Sequence, residues 1–335
     1  MKALLPWLDA PLLDALQRSH SHALLVQGPA GVGQLELAML LARSWLCESP
    51  AAVHQRQPGC GDCASCRLFA AGTHPDFQLL LPEALDAACR EALGLPAEET
   101  AEPKAGKAKP SREIKVDAVR QLLGFAQATS ARGRAKVVVI FPAEALNAVA
   151  ANALLKTLEE PSGVLRFALA THDPAGLLPT IRSRCQSLSL PLPPTDAAEA
   201  WLAGEGVEPA LLKAAGGRPQ LAREWHEAGL RAQAWSSLPK RVARGEAAAL
   251  ADWAPPRAID ALQRVCHDLL RRCHGQPGQY FDTAALPACS RVQPLLAWEQ
   301  QLRRAARHAE HPLNAGLLIE SLVTAGQAAL AQAHS

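Results

Sequence analysis

Three groups of residues in this chain have the types and spacing that chemistry requires. The first is Gly28-Pro-Ala-Gly31-Val-Gly33-Gln34-Leu35, set between an apolar run, Ala23 to Gln27, and an amphipathic stretch, Leu35 to Leu46. Strand, outer glycines and following helix fit G-x-x-x-x-G-K-[ST], in which a lysine reaches the β/γ-phosphates and a hydroxyl ligates Mg²⁺. Gln34 and Leu35 stand in those two places. Glycine amides and a helix N-terminus still offer N–H groups to an anion, and a plain Gly-rich turn would read the same way. We read a retired phosphate loop, with no nucleotide cofactor expected at Gly28, Gly31, Gly33, Gln34 or Leu35. The second group is Cys47, Cys60, Cys63 and Cys66, spaced C-x12-C-x2-C-x2-C. Four thiolates make a closed tetrahedral shell for Zn²⁺, and C-x2-C turns support the sulfurs with backbone N–H groups; free thiols or one redox pair are the alternatives. With no open position, such a site is structural. The third is the end of a buried strand, Lys136 to Phe141, where a working ATPase needs a metal-holding Asp. Here the chain reads Phe141-Pro142-Ala143-Glu144. Lysine, hydroxyl and carboxylate are all missing, so the chain is expected not to hydrolyse ATP by itself.

The elements that must position these groups follow from periodicity. Leu4 to Ser19 reads as a helix leading into the first strand. Further strands are expected at Phe77 to Leu81, Lys136 to Phe141, Arg166 to Ala170 and from Arg184-Cys185 to Leu190. Helices alternate with them: one capped by Asp117 with Val119, Leu122, Leu123 and Ala126 on its apolar face, one from Leu146 to Glu160 stopped by Pro161, and a short turn from Leu177 to Ser183. Five strands alternating with helices give an α/β, doubly wound parallel sheet with the loop at a strand's carboxyl end. His74 is read as a satisfied turn histidine, since four cysteines already complete the metal shell. A charged insert, residues 83–112, interrupts the pattern. Its Ala97 to Pro110 part lacks apolar periodicity and reads as a solvated linker, although Lys104, Lys107, Lys109 and Arg112 could touch phosphate. Pro191, Pro193 and Pro194 mark a boundary. Residues 191–233 form a small helical domain in which Thr195 caps the first helix, and residues 234–335 are all-α, either a bundle of their own or a collar that packs on copies or relatives. Cys266, Cys273 and Cys289 lack metal spacing and read as core thiols.

Composition bounds the rest. A chain of 335 residues with 26 prolines, 4% aromatics and a net charge of +2 has room for two or three domains and no global pull toward nucleic acid or membranes. It has no apolar run of transmembrane length, and Met1-Lys2-Ala-Leu-Leu-Pro-Trp7 is no signal peptide, so a cytoplasmic protein with no membrane partner is expected. Nine cysteines in a reducing compartment argue for metal over disulfides.

Together these motifs resemble the delta-prime family of bacterial DNA polymerase III clamp-loader subunits, which are AAA+ relatives. The resemblance rests on the four cysteines, on Gly72-Thr-His-Pro-Asp76, on Ala151-Asn-Ala-Leu-Leu-Lys-Thr-Leu-Glu-Glu-Pro161 and on Leu178-Pro-Thr-Ile-Arg-Ser-Arg-Cys185. It is specific over residues 1–190 and rests beyond them on helical character alone; the insert departs from the short connection usual in the family. It implies an AAA+-like domain (1–190) with a degenerate loop and zinc module, a helical lid (191–233) and an oligomerisation collar (234–335). It further implies a non-hydrolysing stator, itself no enzyme but part of a DNA-directed DNA polymerase holoenzyme, acting in DNA replication. Implied partners are gamma/tau-type ATPase and delta-type subunits in a hetero-oligomeric ring and, through the complex, the sliding clamp and primed DNA. Arg184 of Ser183-Arg184-Cys185 is implied as an arginine finger reaching a neighbour's nucleotide site, where the residues alone favour an arginine at a strand entrance paired with a local carboxylate, and Arg218 as a lid sensor with no working loop to serve. Two alternatives stand beside this one: an ATP-hydrolysing loader subunit with an unusual loop, and a zinc-bearing DNA-binding adaptor.

Overall fold

A computed structural model describes residues 5–18, 20–97, 110–309 and 314–334. Contacts divide the chain into two compact units, Met1–Ala197 and Ala198–Ser335. The first unit opens with a 3₁₀ turn, Pro6–Leu8, and runs α1 (Asp9–Arg18), β1 (Ala23–Gln27), α2 (Gln34–Leu46), α3 (Pro50–His54), α4 (Ala64–Ala70), β2 (Phe77–Leu80), α5 (Glu83–Leu93), α6 (Val116–Gln127), β3 (Lys136–Ile140), α7 (Ala148–Glu159), β4 (Leu165–Thr171), α8 (Pro179–Arg182) and β5 (Gln186–Ser189). All five strands are parallel, in the order β2-β3-β4-β1-β5.

Because strand side chains alternate between faces, runs that are apolar throughout must be covered twice. Ala23, Leu25, Val138, Ile140, Phe167 and Leu169 join Val119 and Leu122 of α6 and Leu154 and Leu158 of α7 in one cluster. Their neighbours Leu24, Val26, Val137, Val139, Ala168 and Ala170 are equally buried, and α2 lies against β3 and β4. The doubly wound parallel sheet expected from the strand pattern is therefore present.

One local expectation is corrected and one element is added. Asp117 does not cap α6; Lys115 holds the cap position and Asp117 sits inside the first turn, paired with Arg120 at 3.0 Å, where an acid suits the helix dipole equally well. The insert, given no element at its start, begins with α5 in its first eleven residues, which ends on Gly94 at φ 68°; the stretch read as a linker lies outside the described residues from 98 to 109. Lys104, Lys107 and Lys109 lie outside the described residues.

The second unit is helical among its described residues. α9 (Thr195–Gly204) leads into it, followed by α10 (Pro209–Ala214), α11 (Pro219–Glu227), α12 (Ala232–Ala243), α13 (Pro255–Cys273), α14 (Gln293–Ala306) and α15 (Ala315–His334). Leu202, Leu211 and Ala222 share one apolar cluster with Leu262, Val265 and Leu302, so residues on both sides of position 234 contribute to a common core. Within it the Trp235 and Phe281 rings stack at 4.8 Å, and Trp298 Nε1 donates to the Leu322 carbonyl at 3.0 Å. Buried Asp268 accepts the backbone N–H groups of Gln279, Tyr280 and Phe281 at 2.7–2.9 Å, tying their loop to α13. No described helix is long and apolar enough to cross a membrane.

Phe167 is wholly buried in the central strand β4. Phe167→Ala is expected to cost about 3–5 kcal/mol in urea unfolding of the chain; a loss under about 1 kcal/mol would contradict this packing.

Candidate functional site

β1 delivers Gly28 to the carboxyl end of the sheet, and the loop from there to α2 is shaped by close contacts. A Cβ on Gly28 would lie 2.2 Å from the Leu190 carbonyl oxygen, so only glycine permits the loop to pass the end of β5. Gly33 has φ +104° and a Cβ there would meet Leu5 Cδ1 at 2.7 Å. Both glycines are thus required by the turn whether or not it holds phosphate. The Gln34 side chain decides the matter locally. It is buried and turned back, its Nε2 donating to the carbonyls of Gly28 and Pro29 at 2.6 Å each. From the other side Trp7 Nε1 donates to the Val32 carbonyl at 2.8 Å, and Val32 is fully buried. Gly28, Gly31, Gly33, Gln34 and Leu35 therefore form a loop closed on itself by a neutral amide, with Leu35 buried where a metal-binding hydroxyl would sit. The adjoining cleft at the ends of β1, β4 and β5, about 320 Å³, is lined by Gly28, Pro29, Pro174 and Leu190 among others, with no lysine, arginine or carboxylate.

At the end of β3 the place of the acid is taken by Phe141, followed by a cis bond to Pro142. The next carboxylate along the chain, Glu144, has one oxygen committed elsewhere: its Oε1 pairs with His172 Nδ1 at 3.1 Å and accepts the His172 and Asp173 backbone N–H groups at 3.4 and 3.3 Å, while Oε2 is buried without a partner among the described residues.

Cys47 follows α2, Cys60 and Cys63 flank a tight turn, and Cys66 lies in the first turn of α4. Their four Sγ atoms all lie within 4.8 Å of one another, with Cys47 3.5 Å from Cys60 and 3.9 Å from Cys63. A tetrahedral shell with M–S near 2.3 Å places sulfurs about 3.8 Å apart, so this cluster could hold a metal ion. Backbone N–H groups of Cys60, Cys63 and Cys66 point at the preceding sulfurs, each at 3.4 Å. Burial opposes ionisation of Cys47, but the Ser49 hydroxyl and the N–H groups of Cys60 and Ser49 outweigh it and bring the thiol from 9.0 down to about 6. Cys60 is lowered by the N–H groups of Cys63 and Asp62, whereas burial drives Cys66 upward.

His74 is the satisfied histidine that its turn suggested. Its Nδ1 accepts the Asp76 N–H at 3.0 Å, so Nε2 carries the proton given to Ser65 Oγ at 2.7 Å, and Ser65 donates to the Leu46 carbonyl at 2.7 Å. Burial keeps the ring neutral by lowering its pKa. This chain joins the cysteine module to the end of α2. Asp76, fully buried, accepts from Ser130 Oγ and the N–H groups of Ala131 and Arg132 and pairs with Lys136 at 3.6 Å.

Arg184 stands between α8 and β5. Its Nε donates to Glu159 Oε1 at 2.7 Å, Nη2 also meets that carboxylate, and Nη1 donates to the Thr180 carbonyl at 3.0 Å. Sequence reading allowed a local carboxylate for Arg184 but did not name Glu159, at the end of α7; Trp7 as the loop's inner brace left no motif to find. Arg182 Nη1 donates to the Pro174 carbonyl at 3.3 Å. In the second unit Arg218 donates to the Ala215 carbonyl at 2.8 Å. Cys266 is buried, and Cys273 and Cys289 are half-buried with their sulfurs 2.9 Å apart.

Comparison with known proteins agrees with this architecture. A family model described as DNA polymerase III, delta subunit, matches residues 13–194. DNA polymerase III subunit delta' of Pseudomonas aeruginosa is 42% identical over 241 residues, 70% of this chain and 64% of that protein, so the match spans slightly under two thirds of its length. The Escherichia coli subunit delta' is 34% identical over 316 residues, 87% of this chain and 86% of that protein. DNA polymerase III subunit tau of Escherichia coli is 36% identical over 176 residues, 52% of this chain and 22% of that protein.

Gln34→Ala removes both hydrogen bonds that close the loop. It is expected to destabilise the chain by about 1–3 kcal/mol, seen as a drop of about 2–4 °C in melting temperature per kcal/mol. An unchanged melt would mean the amide does not hold the loop shut.

Proposed function

Because the chain belongs to the delta-prime family of DNA polymerase III subunits, we propose that it is the non-hydrolysing stator of a clamp loader, acting in DNA replication. The observation that carries the stator reading is Gln34 bonded to the Gly28 and Pro29 carbonyls. A lysine ammonium there would compensate phosphate charge, whereas a carboxamide whose donors are spent on the loop compensates none. With no metal-holding carboxylate at the end of β3 either, the chain lends structure to ATPase neighbours of the gamma/tau type and to a delta-type subunit. Through that ring it helps bring a sliding clamp to primed DNA. Residues 191–233 act as the lid and 234–335 as the collar.

Arg184 is the proposed arginine finger. In the isolated chain it rests on Glu159, with side-chain exposures of 30% and 47%. An exposed pair of this kind is worth about 0–1 kcal/mol, while a guanidinium on a transferring phosphoryl group is worth about 10³–10⁵ in rate, or about 4–7 kcal/mol. Glu159 is therefore an easily exchanged rest, and a neighbour's γ-phosphate outcompetes it. Arg184→Ala is expected to leave assembly intact and to lower ATP turnover at the served site by on the order of 10³ or more, in single-turnover assays of the reconstituted loader. Unchanged turnover removes the finger, and hydrolysis by the lone chain at the loader's rate removes the stator.

The metal of the Cys47, Cys60, Cys63, Cys66 cluster is proposed to be zinc, held structurally by four thiolates. Its chemistry there is to cross-link the end of α2 to α4, and the N–H groups already aimed at the sulfurs support their charge. Elemental analysis should find one zinc per chain and none in Cys47→Ser. Retention should weaken as pH falls, because protons compete for the thiolates; metal-free protein from a reduced preparation would refute the site.

A further inference from the structure

At the amino ends of β3 and β4, away from the retired loop, the first unit gathers arginines that no acid neutralises among the described residues. A cleft of about 330 Å³ opens between the last turn of α2, α3 and the segment entering β3; Arg56, Arg134 and Arg166 line it, and no aspartate or glutamate does. The Arg166 guanidinium carbon lies 5.2 Å from the Trp45 ring centre, and among the described residues no carbonyl or carboxylate accepts from it. Among the described residues Arg134 Nε is buried without a partner, and its Nη2 meets the Trp45 carbonyl at 3.5 Å. Arg56 is held at φ 52°, a strained backbone for a side chain of its size, and is braced on the Gln17 carbonyl at 3.2 Å and His20 Nδ1 at 3.3 Å. All three side chains belong to residues that line the cleft.

We propose that this cleft binds a phosphoryl oxyanion, supplied either as free phosphate or as a backbone phosphate of nucleic acid. A half-buried guanidinium with no counter-charge is costly; Arg134 and Arg166 are two such groups, and with the exposed Arg56 on the same cavity they call for a ligand of more than one negative charge with acceptor oxygens in several directions. A phosphoryl group has both properties, while a carboxylate occupies one fork and neutralises one charge. In agreement, burial and then the like charges of Arg56 and Arg134 lower the proton affinity of Arg166. The proposal is independent of the loader reading, since it concerns neither the loop nor Arg184.

The test uses the full chain at low salt with two probes, radiolabelled inorganic phosphate in equilibrium dialysis and a fluorescent single-stranded 20-mer in anisotropy. The wild type is expected to bind at least one, and Arg166→Gln to weaken that binding about tenfold or more without lowering the melting temperature, because it removes an uncompensated cation. Arg134→Gln, on the same cleft, should weaken it similarly and serves if Arg166→Gln does not fold. Binding of phosphate alone assigns a free anion; binding of the 20-mer, with or without competition by phosphate, assigns backbone phosphate. Binding of neither probe, or equal binding by wild type and a folded variant, overturns the proposal.

Discussion

Hydrogen bonding inside the loop after β1 governs what the carboxyl end of this sheet can do. The Gly28 and Pro29 carbonyls receive the Gln34 amide at 2.6 Å, and Trp7 braces Val32 from beneath. A loop stabilised by its own carbonyls needs no ligand to hold its shape. The same geometry keeps the glycines: Gly28 passes the Leu190 carbonyl and Gly33 takes a positive φ, so the backbone form of a nucleotide loop persists where its charged groups do not. Buried Leu35 completes the exchange of polar function for packing.

The cysteine module is tied into this scaffold by short polar links. His74 to Ser65 to the Leu46 carbonyl forms one continuous chain of donors, and each group in it is satisfied by the next. Arg132 reaches Glu48 at 2.7 Å, while Asp76 gathers the turn containing Ser130, Ala131 and Arg132. Two loops far apart in sequence are thereby fixed to the end of α2, and the four sulfurs inherit that rigidity.

A net charge of +2 conceals an uneven sorting of charge. Buried Asp76 is matched by Lys136 and three hydrogen bonds, and Arg132 by Glu48, as burial demands. Arg184 and Glu159 meet at the surface, where solvent makes exchange cheap. Arg56, Arg134 and Arg166 converge on a cavity without an acid among its lining residues.

Periodicity and motif spacing carried much of this protein in one dimension. The five strands, the missing lysine, hydroxyl and acid, the four clustered cysteines and the structural histidine were all legible, because each depends on residue type at short separation. The helix inside the insert was missed, since mixed charge masks an amphipathic pattern, and so was the Lys115 cap, because caps are decided within one or two residues. What only the tertiary structure decided are meetings between distant segments: Trp7 with Val32, Glu159 with Arg184, and three arginines from separate loops and strands around one cleft. Side-chain period reports which face a residue takes, but the partner it meets there is chosen by sheet order and loop path, which no local pattern encodes.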